Sequence, residues 1–163
     1  MKVLAFDAVR CMGCHSCELA CAAAHLDGLS LMEAVLAGKR APARLWVHPG
    51  RPFAVVITCR HCLRAPCMEA CAPQALKRDP QTGAVVVEES LCIGCRDCVL
   101  ACPFGAIRME AGKAVKCDLC GGDPACVRHC PTGALRFVSP EEEGLRKQRR
   151  TIKTFLAKAG RKP

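Results

Sequence analysis

The sequence predicts an α+β fold of small β-hairpins and short helices, followed by one longer amphipathic helix at the C-terminus. Three observations predict it. Sixteen cysteines fall in four runs of four with none left over: Cys11, Cys14, Cys17, Cys21; Cys59, Cys62, Cys67, Cys71; Cys92, Cys95, Cys98, Cys102; and Cys117, Cys120, Cys126, Cys130. Short β-prone segments stand before or after these runs, each bounded by Gly, Pro or Asp. The organic core is thin, because the 51% apolar content falls to about 41% once the 16 cysteines are set aside, and only 4% of the chain is aromatic.

Taken in order, the β signals lie at 3–6, 45–47, 53–58, 84–87, 113–116 and 135–138. After Cys17 and Cys98 the chain reads Glu-Leu-Ala-Cys and Val-Leu-Ala-Cys, so a helical turn carries the fourth cysteine of those runs. Between the first two runs Ser30 and Glu33 make a capping box and Gly38 a stop, which bounds a short helix. The His48-Pro49-Gly50-Arg51-Pro52 turn then joins two β segments as a hairpin. The last helix has a full start signal: Ser139 as N-cap, Pro140 at the first position, Glu141 to Glu143 in the first turn and Glu142 closing a capping box. Leu145, Ile152, Phe155, Leu156 and Ala159 share one of its faces, and Gly160 marks its end.

The spacing carries the chemistry. Runs one and three read C-x2-C-x2-C-x3-C, and Pro103 follows the third, which is the spacing of bacterial iron–sulfur ligation. Three thiolates three residues apart wrap a compact cubane, since each step spans at most roughly 10 Å of chain. A helical turn then carries the fourth away to a neighbouring cluster, so two runs build two clusters by exchanging their last ligands. Runs two and four lengthen one gap to x4 or x5 and keep the closing x3-C. Four [4Fe-4S] clusters are expected. Which runs exchange ligands stays open on spacing alone.

Other readings of so many cysteines fit worse. A disulfide scaffold belongs to short secreted chains, whereas Met1 to Asp7 reach an acidic residue before any apolar leader forms. Structural zinc uses paired C-x2-C knuckles, and triplets such as Cys92, Cys95 and Cys98 supply one thiolate too many. His15, His25, His61 and His129 lie near cysteines, yet with a full set of thiolates they are expected as surrounding groups. Lys116 and Arg96 adjoin ligands and are expected either to raise local potentials or to be plain solvated charge.

The net charge of +9 would suit nucleic acid or anionic lipid. Four thiolates on a 2+ core leave about −2 at each site, so a loaded chain sits near about +1. Eight Lys or Arg and no acid lie within 145–163, leaving 16 basic against 15 acidic residues elsewhere. The loaded molecule is an anionic body with a cationic tail. That tail either packs back on its own body, docks a partner or a second copy, or lies on a membrane surface. One Trp and no Tyr exclude a base-stacking platform, and neither a transmembrane segment, a G-x-G-x-x-G pattern nor a P-loop is present in the sequence.

The motifs Cys11-Met12-Gly13-Cys14-His15-Ser16-Cys17, Cys59-Arg60-His61-Cys62 with Ala65-Pro66-Cys67, Cys92-Ile93-Gly94-Cys95-Arg96-Asp97-Cys98, and Lys116-Cys117-Asp118-Leu119-Cys120 with Cys130-Pro131-Thr132-Gly133-Ala134 cover 3–138. In them the chain resembles the four-cluster ferredoxin-type electron-transfer subunits of multi-subunit oxidoreductases. That group includes the iron–sulfur subunits of dimethyl sulfoxide reductase, formate dehydrogenase and formate hydrogenlyase, the carbon monoxide dehydrogenase-associated ferredoxin, and the small subunit of tungsten aldehyde oxidoreductases. Cys21 departs from the pattern in lacking a following proline, and the insert before the second run is short.

The resemblance implies two interleaved bacterial-ferredoxin-like dicluster lobes, with the clusters in a line. Lobe A would take about 1–28 and 109–138, lobe B about 53–108, with 29–52 as an insert and 139–163 as the basic helix and tail. It implies Cys59, Cys62, Cys67 with Cys102 for one cluster and Cys92, Cys95, Cys98 with Cys71 for the next. Lobe A would pair Cys11, Cys14, Cys17 with Cys130, and Cys117, Cys120, Cys126 with Cys21. The expected role is a non-catalytic relay of single electrons, bound to a catalytic subunit carrying tungsten or molybdenum, nickel or a hydrogenase centre, with a flavin subunit or further copies of itself as additional candidate partners. A freely diffusing polyferredoxin is the alternative and a zinc-based nucleic-acid binder the outsider. A cytoplasmic setting is expected, because clusters need a reducing compartment.

Overall fold

The computed structural model describes residues 1–26, 28–158 and 160. Eight short strands form four separate antiparallel pairs. β1 (Val3–Phe6) pairs with β8 (Leu135–Val138), joining the two ends of the cysteine-bearing region with Val3 opposite Val138 and Phe6 opposite Leu135. β2 (Leu45–His48) and β3 (Val55–Thr58) form the hairpin that the Pro/Gly turn predicts, with Trp46 opposite Ile57. β4 (Leu76–Arg78) pairs with β5 (Val85–Val87), and β6 (Arg108–Glu110) with β7 (Lys113–Val115). β4 and β6 lack a sequence signal because each is only three residues long and carries charge, and the pairing partner alone makes them strands.

Helices alternate with the strands. α1 (Ser16–Ala23), α3 (Pro66–Glu69), α4 (Asp97–Ala101) and α5 (Ala125–Arg128) follow the first cysteines of the four runs. Each begins at or within two residues of the third cysteine of its run, so one thiol always leaves the first turn. Only α1 also contains its fourth cysteine, Cys21. Cys102 is the C-cap of α4, and Cys71 and Cys130 fall two residues beyond α3 and α5, so the expected helical turn carries the chain towards the fourth thiol without including it. α2 (Leu31–Leu36) has both halves of its capping box, the Ser30 hydroxyl accepting from Glu33 N–H and the Glu33 carboxylate from Ser30 N–H.

α6 (Pro140–Lys158) starts at Ser139 with the same reciprocal cap, made with Glu142. Its first turns are tied down by ion pairs, and Leu145, Ile152 and Phe155 stay exposed. The apolar face therefore does not fold back onto the body along its length. Ala159, placed on that face from the sequence, lies outside the described residues.

Buried residues gather in two groups. One joins Leu4, Leu135, Leu119, Leu45, Val47 and Val56 to Cys17, Cys21, Cys117 and Cys126. The other joins Leu76, Val85, Ile107 and Ala114 to Cys67, Cys92 and Cys98. Thiols thus sit inside the organic core. Trp46 is covered by the Arg108 guanidinium, 4.0 Å from its ring centre, which ties the 45–58 hairpin to β6.

Candidate metal centres

A repeated backbone device opens each run. The residue just before the second cysteine has positive φ in all four: Gly13 at 71°, His61 at 47°, Gly94 at 75° and Leu119 at 61°. This left-handed residue turns the chain so that the thiols on either side of it point to one interior. Glycine adopts it freely, and at 94 it is also needed for space, since a Cβ there would stand 2.5 Å from the Gly112 carbonyl oxygen. At the second and fourth runs His61 and Leu119 occupy the same position and are buried.

The sulfurs converge across runs. One pocket is lined by Cys11, Cys14, Cys17 and Cys130. A second is lined by Cys59, Cys62, Cys67 and Cys102, and a third by Cys71, Cys92, Cys95 and Cys98. Around Cys126 the neighbouring thiols include Cys117 and Cys120 of its own run and Cys21 and Cys17 of the first. Each of the three pockets takes one cysteine from a different run, and first-run thiols stand beside Cys126. All sixteen are free, and only Cys14 and Cys95 are exposed.

Single-ion zinc does not fit this spread. Zn–S bonds of 2.3 Å set tetrahedral sulfurs about 3.8 Å apart, whereas among the described residues no three cysteine sulfurs all lie within 4.8 Å of one another. The donor set fits a polynuclear centre in which each thiolate holds its own iron. None of the three pockets is lined by a carboxylate. Burial pushes the Cys17, Cys98 and Cys117 thiols up to about 11, and raises Cys126 further still with help from the surrounding thiolates. Such thiols ionise only when a cation offsets their charge, as cluster iron does.

Backbone N–H groups already point at the last sulfur of every run. Ala75 N–H donates to Cys71 Sγ at 3.2 Å, Ala106 N–H to Cys102 at 3.4 Å and Leu135 N–H to Cys130 at 3.4 Å. Cys21 receives its bond from Arg44 N–H at 3.2 Å, across 23 residues of chain. These bonds stabilise thiolate and, around clusters, help to set potential.

The histidines have other partners. His25 donates Nδ1–H to the Cys21 carbonyl at 2.7 Å and its other N–H to Asp118 at 3.2 Å. The Asp118 bond raises it to about 10, and burial of Asp118 is outweighed by His25, the Cys120 N–H and Arg44, which hold that carboxyl far below its usual range. His25, Asp118 and Cys120 lie close enough for an ion, but an imidazolium with both N–H groups engaged has no lone pair to give. His15 pairs with Glu18 and His129 with the Ala125 carbonyl. His61 is buried, accepts at Nδ1 from Val85 N–H at 2.9 Å, and is pushed down to about 3 by burial and by Lys116. Arg44 and Asp118, which brace this corner, had no sequence signal: one lies in the insert and the other between two cysteines. Of the two cations expected beside ligands to raise local potentials, Arg96 is exposed and Lys116 is buried.

Short hairpins, cysteine-initiated helical turns and thiol groups that cross between runs define an iron–sulfur protein of the ferredoxin-like class. The 4Fe-4S dicluster domain model matches residues 53–140, more than half of the chain, and the chain belongs to that family. It is 38% identical over 116 residues to YsaA of Escherichia coli (strain K12), described as a candidate electron transport protein, covering 69% of this chain and 71% of that one. It is 36% identical over 110 residues to the electron transport protein HydN of the same organism, covering 68% and 61%. It is also 36% identical over 107 residues to formate hydrogenlyase subunit 2 of that organism, covering 66% and 47%. The chain thus spans less than two thirds of the last two.

Proposed function

We propose that this chain is a non-catalytic relay holding four [4Fe-4S] clusters, with the ligand exchange that the resemblance implies, and that it passes single electrons between a catalytic subunit and a second redox partner. The observation that carries the reading is the set of thiol groups in which three sulfurs of one run meet the fourth of another. Cys11, Cys14, Cys17 with Cys130 and Cys117, Cys120, Cys126 with Cys21 would form lobe A. Cys59, Cys62, Cys67 with Cys102 and Cys92, Cys95, Cys98 with Cys71 would form lobe B. When bound, each cluster would supply a one-electron couple. The chain's own residues set spacing, exclude water and donate hydrogen bonds to the thiolates.

We infer a row order from Lys116 and Val85: the Lys116 ammonium donates to the Cys117 and Val85 carbonyls while Val85 N–H binds His61, so the second-run and fourth-run groups are read as adjoining. The first-run and third-run groups are then the two ends, and these hold the two exposed cysteines, Cys14 and Cys95. An electron enters and leaves where a ligand meets the surface. No helix of the described residues is long and apolar enough to cross a membrane. We favour a tungsten or molybdenum oxidoreductase as the catalytic partner, in a reducing cytoplasmic setting, with the exposed face of α6 as one contact. The names of the relatives, electron transport proteins and a hydrogenlyase subunit, support a subunit role.

The test is metal and sulfide analysis of anaerobically reconstituted protein together with native mass. About sixteen iron and sixteen sulfide per chain are expected, and natively purified material is expected well above 17.5 kDa. Zinc without sulfide would overturn the cluster reading. A loaded monomer would favour a diffusing carrier.

A further inference from the structure

Lys116 is 2% exposed, one of few buried charges in the molecule. Its ammonium donates to the Cys117 carbonyl at 2.8 Å and to the Val85 carbonyl. None of the ion pairs among the described residues includes it. Burying an ammonium without a carboxylate is costly unless another anion is close. Asp118 and Glu89 line a cavity with it, but Asp118 is paired with Arg44 and His25 and neither carboxylate bridges to Lys116, so the anions left to offset its charge are thiolates, that of Cys117, whose carbonyl it binds, and that of Cys67, which its charge also reaches.

Val85 fixes a second group at the same place. Its carbonyl takes the Lys116 ammonium while its N–H binds His61 Nδ1, so the neutral His61 ring carries its proton on Nε2. That Nε2–H is buried and has no partner, and His61 lines the pocket of Cys59, Cys62, Cys67 and Cys102. A cation and an unspent donor thus meet where the two inner thiol groups adjoin. At the ends the corresponding loop positions are Gly13 and Gly94, beside exposed cysteines.

We propose that Lys116, assisted by His61, is a fixed positive charge that selectively raises the reduction potentials of the two inner clusters, so that the electron is held at the lobe junction. The inference rests on the four-cluster reading above. Each reduction adds negative charge to a site already near about −2, and two such sites side by side repel. A buried cation between them offsets that repulsion where water does not screen it. The end sites hold the two exposed cysteines, Cys14 and Cys95, where solvent screens such a charge.

The experiment is a redox titration of the anaerobically reconstituted full chain, followed by electron paramagnetic resonance. Cys14→Ser and Cys95→Ser mark the signals of the two end clusters. Lys116→Gln keeps a donor for the carbonyls and loses the charge. Two of four midpoint potentials, those unmarked by the serine variants, are expected to move to more negative values, the end pair staying unmoved. Lys116→Arg is expected to restore them, and His61→Phe to lower mainly one of the two. Unmoved potentials, or an equal shift of all four, would overturn the proposal. So would loading of iron only when residue 116 is a cation, which would assign Lys116 to assembly. A wild-type chain without four clusters would instead remove the reading on which the inference stands.

Discussion

Gly94 shows how much a single backbone conformation is asked to do. Its φ of 75° and its approach to the Gly112 carbonyl leave no room for a side chain. Gly94→Ala is expected to cost about 1–2 kcal/mol for the left-handed backbone alone, plus the displacement of the 110–113 turn. The check is the temperature at which the cluster absorbance bleaches, which should fall relative to the wild type. Gly13→Ala should fall less, since its Cβ would meet only the Ala54 methyl at 3.4 Å. Residue-level chemistry was legible in the cysteines, because ligand spacing is a local constraint written in adjacent residues. Lys116 and Arg96 looked equivalent in sequence, each beside or near a ligand. The fold separated them by burying one against a strand 31 residues away, and no local pattern encodes that.

Among the elements α6 is held by charge. Asp7, buried at the end of β1, accepts from Arg146 at 3.1 Å and Arg150 at 3.2 Å, and Glu143 joins Arg136 to Arg146. Burial works against ionised Asp7, but the Arg146 bond, Arg150 and the Val9 N–H outweigh it and lower its pKa; Arg146 and Arg136 lower Glu143. Groups whose folded pKa is depressed stabilise fully above their ordinary values, 3.8 and 4.5 here, and lose that contribution as pH falls through the folded value. The protection factors of the α6 amides, with the intrinsic pH dependence of exchange divided out, are therefore expected to stay flat from pH 7 to about 5. Asp7→Asn should loosen the helix by about 1 kcal/mol and speed its exchange at neutral pH, most of all in low salt. The start of α6 was fully legible, since caps and first-turn acids are local. Its anchorage was not, because Asp7 and Arg146 are 139 residues apart. The 76–78 and 108–110 strands were missed for a related reason: three residues carry no period, and pairing alone selects them.

At the scale of the whole molecule, the two buried groups of side chains contain more sulfur than a core of this size can spare. Among the described residues Leu45, Leu119 and Val85 are the largest fully buried side chains, and no sheet exceeds two strands, an arrangement that does not stand alone in water. Removing iron with a chelator under reducing conditions is expected to unfold the body, as in other small metal-dependent domains. Far-UV circular dichroism should fall to a signal dominated by α6, and reconstitution should restore it. An apo chain that kept its hairpins would show that the polypeptide, not the metal, carries the fold.

The pairing of the first strand with the eighth places a demand on synthesis. Cys11, Cys14 and Cys17 are made well before Cys130, which lines the same pocket, and β1 finds its partner strand only when residues 135–138 have left the ribosome. The 59–102 block closes on itself much sooner. On the proposed ligand exchange, a nascent chain therefore holds its first-run thiols without their fourth partner until that last strand is made, and the two middle runs have their full set of thiols before the first run does.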